Sequence, residues 1–334
     1  MMKTKIHHKT WLAMAALAGM ASLAQAQSSV TVFGVLDVAV RQVKGKDSMT
    51  MLVNEGRSAS RLGFRGAEDL GGGLKASFQL ESAINPDDGT VDAAFWQRRA
   101  TVSLSGEFGE IRLGRHKFTD RVIIDDFDPF GTSGAPALTR IYSSLGASVV
   151  NRADNQVGWY LPALGAWYGN VEVAAGEGVD SNKGTAARLG YKTKALNVSA
   201  AYGQHGVGSK LKTATVGALY DFGDFVLQGL YTRNERGSAD QKILNLGGSV
   251  KLGAQGKLIG SFAKASGSGT ANDAKLFALG YDHSLSKRTT LYTTYARIEN
   301  DGKASFSVGG SKGAAAPVAG GNSTAYEVGV RHTF

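Results

Sequence analysis

The chain has 334 residues, with 37 Lys and Arg against 28 Asp and Glu, a net charge of +9, 45 Gly, 5 Pro and no Cys. Without cysteine there is no disulfide framework, and glycine or charge interrupts every apolar run after the N-terminal one, which excludes a helical membrane protein. The basic balance would suit nucleic acid or anionic lipid, but the arginines are spaced along strand-like segments instead of clustering. That spacing favours a polar interior and speaks against nucleic acid.

The chain begins with Lys3, Lys5 and Lys9 and no acid, continues through an apolar stretch from Trp11 to Leu23, and reaches Ala24-Gln25-Ala26. This is the layout of a secretory signal peptide, and the stretch is shorter than the roughly 20 residues a spanning helix needs. Cleavage after Ala26 leaves a mature domain of 27–334 carrying about +6, since the three lysines are lost with segment 1–26. His7 and His8 go with that segment, and no metal or cofactor site is expected.

From Ser29 to Arg41 the even positions Val30, Val32, Gly34, Leu36, Val38 and Val40 are apolar or small, while Ser29, Thr31, Asp37 and Arg41 occupy odd ones. Period two marks a strand with one greasy and one polar face. The pattern returns at Leu74 to Glu81 and at Tyr326 to Phe334. Turn signals divide the whole chain, and strands are predicted near 29–41, 57–67, 73–82, 95–105, 110–117, 151–161, 168–176, 185–193, 195–204, 211–221, 224–235, 242–251, 256–266, 274–284, 288–299 and 325–334. These are sixteen, an even number, as a single-chain outer-membrane barrel requires. The glycines 71–73 read as a hairpin turn, since the Lys-Ser/Thr ending and helix of a phosphate loop are missing.

The fold class expected is therefore all-β: a 16-stranded antiparallel transmembrane β-barrel, with no second domain and a long flexible loop over 301–323. A membrane sheet must have no edge, because each unpaired backbone group in hydrocarbon costs several kcal/mol. A soluble sandwich is the alternative, but it would bury a core, whereas these segments have a second face rich in Arg, Glu, Gln and Thr. Sixteen strands leave a lumen too wide for side chains to fill, so that face lines a channel.

Five segments carry a family likeness. They are Val30 to Asp37, Ser60 to Gly71, Phe108 to Arg115, Asp154 to Tyr160 and the terminal Tyr326 to Phe334. In this order they resemble the general porins of Gram-negative bacteria, closest to the betaproteobacterial branch, over the whole mature chain. The resemblance implies an outer-membrane general diffusion channel for small polar solutes and ions, not an enzyme. It implies a homotrimer set in outer-membrane lipid and lipopolysaccharide, with an inward-folded third loop forming a constriction. Phe334 resembles the terminal aromatic read by the outer-membrane assembly machinery; it also suits a lipid-facing girdle.

Parity puts Arg57, Arg61 and Arg65 on one face opposite Leu62 and Phe64, and a lipid-facing charge would cost on the order of 2–4 kcal/mol, so they must face the lumen. By the resemblance, Arg61, Arg65, Arg98 and Arg152 belong to a basic constriction wall, with Arg41 extending it towards the outer vestibule. Family pattern favours Arg98, strict alternation Arg99, and the choice stays open; for each arginine an ion pair inside the barrel is the alternative. The opposite wall is expected from 118–150, read as a loop without regular structure. It carries Asp120, Asp125, Asp126 and Asp128 before Pro129-Phe130-Gly131. The family's turn order is altered here, so the pore-facing acid is left open, with Asp126 and Asp128 first. Mostly basic inward charge predicts a modest anion preference.

Two other functions are weighed. A hydrolase would need a histidine beside a nucleophile, but His116, His205, His283 and His332 are scattered. A substrate-specific channel could recruit Tyr142, Trp159 and Tyr160 as an aromatic slide.

Overall fold

The alternating segments fold as strands in a computed structural model that describes residues 29–143, 145, 151–268, 273–309 and 317–334. The signal segment 1–26 and its cleavage point lie outside the described residues. The strands are β1 (Ser29–Lys44), β2 (Ser48–Val53), β3 (Arg61–Gly71), β4 (Leu74–Asn85), β5 (Thr90–Val91), β6 (Arg99–Gly106), β7 (Gly109–Lys117), β8 (Arg152–Tyr160) and β9 (Trp167–Ala174). The second half adds β10 (Gly184–Lys192), β11 (Leu196–His205), β12 (Leu211–Asp221), β13 (Phe225–Arg236), β14 (Ala239–Leu252), β15 (Gly256–Gly267), β16 (Ala274–Ser284), β17 (Thr289–Asn300) and β18 (Ser323–Thr333).

Every pairing is antiparallel, and the sheet closes where β1 meets β18, from Val35 opposite Thr333 to Lys44 opposite Thr324. β2 and β3 both pair with β1, at 39–44 and 29–35, so they are two halves of one stave. β5 is a two-residue spur on β4. The barrel therefore has sixteen staves. Closure leaves no sheet edge to face hydrocarbon. Among the described residues no helix is long and apolar enough to cross a membrane.

Alternation sorts the side chains inside out. On β1, Val30 and Val32 are 64% and 53% exposed on the outer face, whereas Asp37 is fully buried on the inner one. One rim carries short turns, 72–73, 107–108 and 222–224 among them, and the other carries most of the longer connections, with the two-residue turn 237–238 as an exception. Exposed aromatics cluster at the tight-turn rim: Tyr220, Phe222 and Phe225 stack in sequence with centroids 4.5 and 4.3 Å apart, and Trp167 packs on Tyr191 at 5.2 Å. Such a girdle marks the membrane interface.

Three predicted elements differ from what is found; the strand predicted over 95–105 begins only at Arg99, so Arg98 lies outside it. The strand predicted over 57–67 starts only at Arg61, because 54–60 leaves the ladder. The departing backbone needs new acceptors, and Asp37 supplies them: its carboxylate accepts the N–H groups of Gly56 (3.2 Å), Arg57 (2.9 Å) and Ser58 (2.7 Å). Arg57 is thus taken out of the strand face it was expected to share with Arg61 and Arg65. The loop 118–150 has regular structure of its own, the helix α1 (Thr119–Phe127) and a 3-10 turn (Leu138–Ile141). Ile123, Ile124 and Phe127 form its apolar face, which the sequence pattern offers at helical spacing.

Candidate functional site

The long loop enters the lumen and is fastened along its whole described course. Its start is held where Thr119 donates its backbone N–H to Glu172 (2.8 Å) and its hydroxyl to Asn170 (2.8 Å), while Asp120 pairs with His205 at 2.7 Å. Phe127 lies over Gly217 on β12, and Phe130 over Gly280 on β16, where an added Cβ would come within 2.8 Å of the ring. The inner wall is bare at these points, which lets the loop backbone lie close to the staves.

At the tip, Asp128 accepts N–H groups from Phe130 (3.1 Å), Thr132 (3.1 Å) and Leu138 (3.0 Å). These bonds hold Thr132 at φ 56°, a left-handed conformation that is costly for a residue with a Cβ. Burial pushes the Asp128 carboxyl up to about 6 from its ordinary 3.8, against the pull of the three donors. Beyond the tip, Ala135 donates to Glu327 at 3.0 Å, and Glu327 pairs with Arg41 across the β1–β18 seam. The return limb is tied to β14, where Ser143 N–H meets Gln241 at 2.8 Å.

Across from the loop, β3, β4 and the entries to β6 and β8 carry the basic wall. Glu81 sits between Arg61 (4.0 Å) and Arg98 (3.8 Å), and Arg152 donates its Nε to the Arg98 carbonyl at 2.8 Å. Arg61, Arg98 and Arg152 line one cavity of about 730 Å³ together with Asp125, Asp126 and Asp128 from the loop. The structure thus brings together six of the residues singled out in the sequence. Arg98 precedes the first residue of β6, so strand alternation does not govern it, and both it and Arg99 face the lumen: Arg98 in this gap, Arg99 in a lower vestibule.

Four predicted site residues lie elsewhere. Arg41 is 1% exposed and paired with Glu327 at the barrel seam, and it lines a second cavity with Arg98 on the side of the long connections, the direction in which it was expected to extend the wall. Arg65 belongs to the lower vestibule with Arg99 and Arg112, its guanidinium stacked 5.2 Å above Phe33. Asp120 is fully buried against His205. Phe334 exchanges backbone hydrogen bonds with Gly34 (3.0 and 3.1 Å) and stays 41% exposed on the outer face.

The loop acids also divide by role. Asp128 lines the cavity but is 3% exposed, its oxygens turned to backbone donors. Asp125 pairs with Lys117, and Asp126 with Arg188 at 2.7 Å while its side chain remains 41% exposed. Sequence reasoning missed Lys117, Arg121 and Arg331 in the cavity and Arg188 behind it. Arg188 and Arg331 were open to detection by parity along their strands. Arg121 was not, because its orientation depends on a helix that was not predicted.

Comparison with known proteins follows the same lines. The family profile described as Gram-negative porin matches residues 13–303. The outer membrane porin protein 32 of Delftia acidovorans is 35% identical over 98% of this chain and 99% of its own. The structure of an anion-selective porin from Comamonas acidovorans superposes with a TM-score of 0.84 at 33% identity, covering 92% of this chain and all of that one. OmpT of Vibrio cholerae in its trimer form shares the fold at a TM-score of 0.66 and 19% identity, over 92% of this chain and 99% of its own.

Proposed function

This chain belongs to the Gram-negative porin family, an outer-membrane β-barrel forming a water-filled diffusion channel for small hydrophilic solutes and ions, and on that premise we propose that its constriction favours anions. Family and fold point to a channel, not an enzyme. The gap between α1 and the β3–β8 wall is read as the eyelet, with Arg61, Arg98 and Arg152 as its basic side and Asp125 and Asp126 as its acidic side. The observation that carries the preference is how the charges are already paired. Arg61 and Arg98 share the single carboxylate of Glu81 and Arg152 has no carboxylate within ion-pair distance among the described residues, while Asp125 and Asp126 each have a cation of their own and Asp128 is buried.

A permeating anion therefore meets net positive potential in a narrow gap, and a permeating cation meets carboxylates that are already matched. Salt weakens this, since the Debye length is about 8 Å at 0.15 M, comparable with the pore. The relative from Comamonas acidovorans described as anion-selective supports the same reading. Current through the refolded mature protein in a planar bilayer under a potassium chloride gradient tests it: a reversal potential on the chloride side is expected, and one on the potassium side would overturn the anion preference.

The same reading includes export by a signal cleaved after Ala26 and assembly as a homotrimer embedded in outer-membrane lipid and lipopolysaccharide. Phe334 is the recognition residue for the assembly machinery. The exposed terminal ring and the trimeric form of the Vibrio cholerae relative support it. Conductance rising in sets of three equal steps is the expected sign of the trimer; single steps only would contradict it.

A further inference from the structure

The outer surface of the barrel carries its own line of cations. Alternation along β12 to β17 places Lys212, Arg233, Lys242, Lys264, Lys275 and Arg297 on the outer face, near the rim of the longer connections. A charge on this face is tolerated only where it leaves the hydrocarbon and reaches headgroups. At the same rim the outer positions of β3, β4 and β6 are Leu62, Leu80 and Ala100, so the line belongs to one side of the barrel.

Four of the six stand beside acids. Arg233 pairs with Glu235 at 2.7 Å, Asp240 lies 3.8 Å from Arg233 and 4.0 Å from Lys242, and Arg297 pairs with Glu299 at 3.0 Å. Lys212 has Glu235 opposite it in the ladder. Lys264 and Lys275 differ, because they face each other across the β15–β16 ladder and neither makes an ion pair among the described residues. Glu299, opposite Lys275 on its other side, is taken by Arg297. Like charges directly opposed on one sheet face are destabilising. The pair therefore calls for an anion from outside the chain.

The surface beneath says what that anion is attached to. One step towards the membrane, Phe262 and Phe277 oppose each other with centroids 5.0 Å apart, and on the neighbouring staves Tyr295 packs on Tyr326 at 4.9 Å. Cations above aromatic rings suit a phosphate carried on acyl chains. From Lys242 through Lys264 and Lys275 to Arg297 the line crosses four neighbouring staves, roughly 15 Å at the spacing of paired strands. A headgroup with one phosphate would meet one opposed pair; this length suits two phosphates on one headgroup.

We propose that the outer face of β14 to β17 is a binding site for a bisphosphorylated glycolipid of the outer leaflet, with one phosphate held between Lys264 and Lys275 and acyl chains lying on Phe262 and Phe277. This rests on the reading that the barrel is embedded in lipopolysaccharide, and it gives that contact a place on the wall.

The test is binding of lipid A carrying two phosphates to the refolded mature barrel in a neutral detergent, followed by native mass spectrometry. Saturable binding is expected. The Lys264→Gln, Lys275→Gln double variant should weaken it about thirtyfold, about fivefold for each charge removed. Equal binding by the double variant overturns the site. Lipid A with one phosphate and phosphatidylglycerol should both bind more weakly than the bisphosphorylated form; equal binding by either overturns the two-phosphate assignment. Inorganic phosphate should not displace the lipid at equal concentration, and displacement would overturn a lipid as the source of the phosphate. Channel conductance of the double variant is read separately and should match that of the unmodified protein, because both lysines lie outside the lumen. If the double variant does not insert, Arg297→Gln carries the test, with binding weakened about fivefold expected and no change overturning the site. Loss of binding with normal conductance supports the site, whereas absence of lipid A binding by an unmodified, conducting channel overturns it and leaves the channel reading intact.

Discussion

The two sides of the eyelet are built on different principles. The basic side stands on staves and their entries, where the hydrogen-bonded ladder holds the backbone and leaves guanidinium groups pointing into water. The acidic side is a single excursion whose carboxylates largely hold the excursion in place. Asp120 ties its start to His205, Asp128 folds its tip, and Asp125 and Asp126 each hold a cation. Counting acids against bases in the segment therefore overstates its negative potential. A carboxylate surrounded by N–H donors or paired with an arginine contributes little field to a passing ion.

Cutting the link between the two sides should give the largest effect. Glu327 joins Arg41 on β1 to Ala135 on the loop, and both side chains are buried. Arg41→Met leaves the carboxylate without its counter-charge, a loss of about 3–5 kcal/mol. The heat-induced unfolding midpoint in detergent should fall accordingly, and an unchanged midpoint would mean that the pair does not hold the seam. Next comes the seat of the helix. Gly217→Val places methyl groups where Phe127 packs, so α1 must lift, and overpacking of this kind costs about 1–3 kcal/mol. Single-channel conductance should change and become noisier, whereas a wild-type trace would show that the seat is not needed.

Smaller effects sharpen the difference between acids that fold the loop and acids that face the gap. Asp126→Asn should shift the reversal potential by only a few millivolts, because the pair with Arg188 already offsets its charge. A shift as large as that from an arginine of the wall would reverse the division drawn here. The smallest effect is a pH dependence of the tip. The folded pKa of Asp128 lies near 6, above its ordinary 3.8, so an undocked tip ionises first as pH rises. Docking is then strongest below about pH 4, weakens up to about pH 6 and is constant above that. Asp128→Asn should abolish this dependence in the current noise; the same profile in the variant would assign it to another group.

Much of the barrel was legible because a strand in a membrane writes its two faces into alternate positions. Val30, Val32 and Val40 against Asp37 and Arg41 already show which side meets lipid, and the predicted strand ends fall close to those found. Alternation fails where the chain leaves the ladder. Residues 54–60 look continuous with the strand that follows, and only Asp37, an acid from the neighbouring stave, explains why they turn away. The helix α1 was hidden for another reason: Thr119 to Phe127 mixes apolar and acidic residues that read as loop until the inner wall provides Gly217 beneath Phe127. At the constriction, residue type and parity pointed to Arg61, and the family resemblance pointed to Arg98 and Arg152, where strict alternation alone favoured Arg99 over Arg98. Which carboxylates are free to act on ions depends on partners far away in sequence, such as Arg188 and His205, and no local pattern carries that information.

Under the proposed anion preference, the arginines of the barrel wall set the sign of selectivity. The direct test is the reversal potential of the Arg61→Glu, Arg98→Glu double variant, refolded and shown to insert, under a potassium chloride gradient. The potential should move from the chloride side to the potassium side. A value left on the chloride side at the magnitude of the unmodified channel would contradict it and place the selecting charge elsewhere in the lumen.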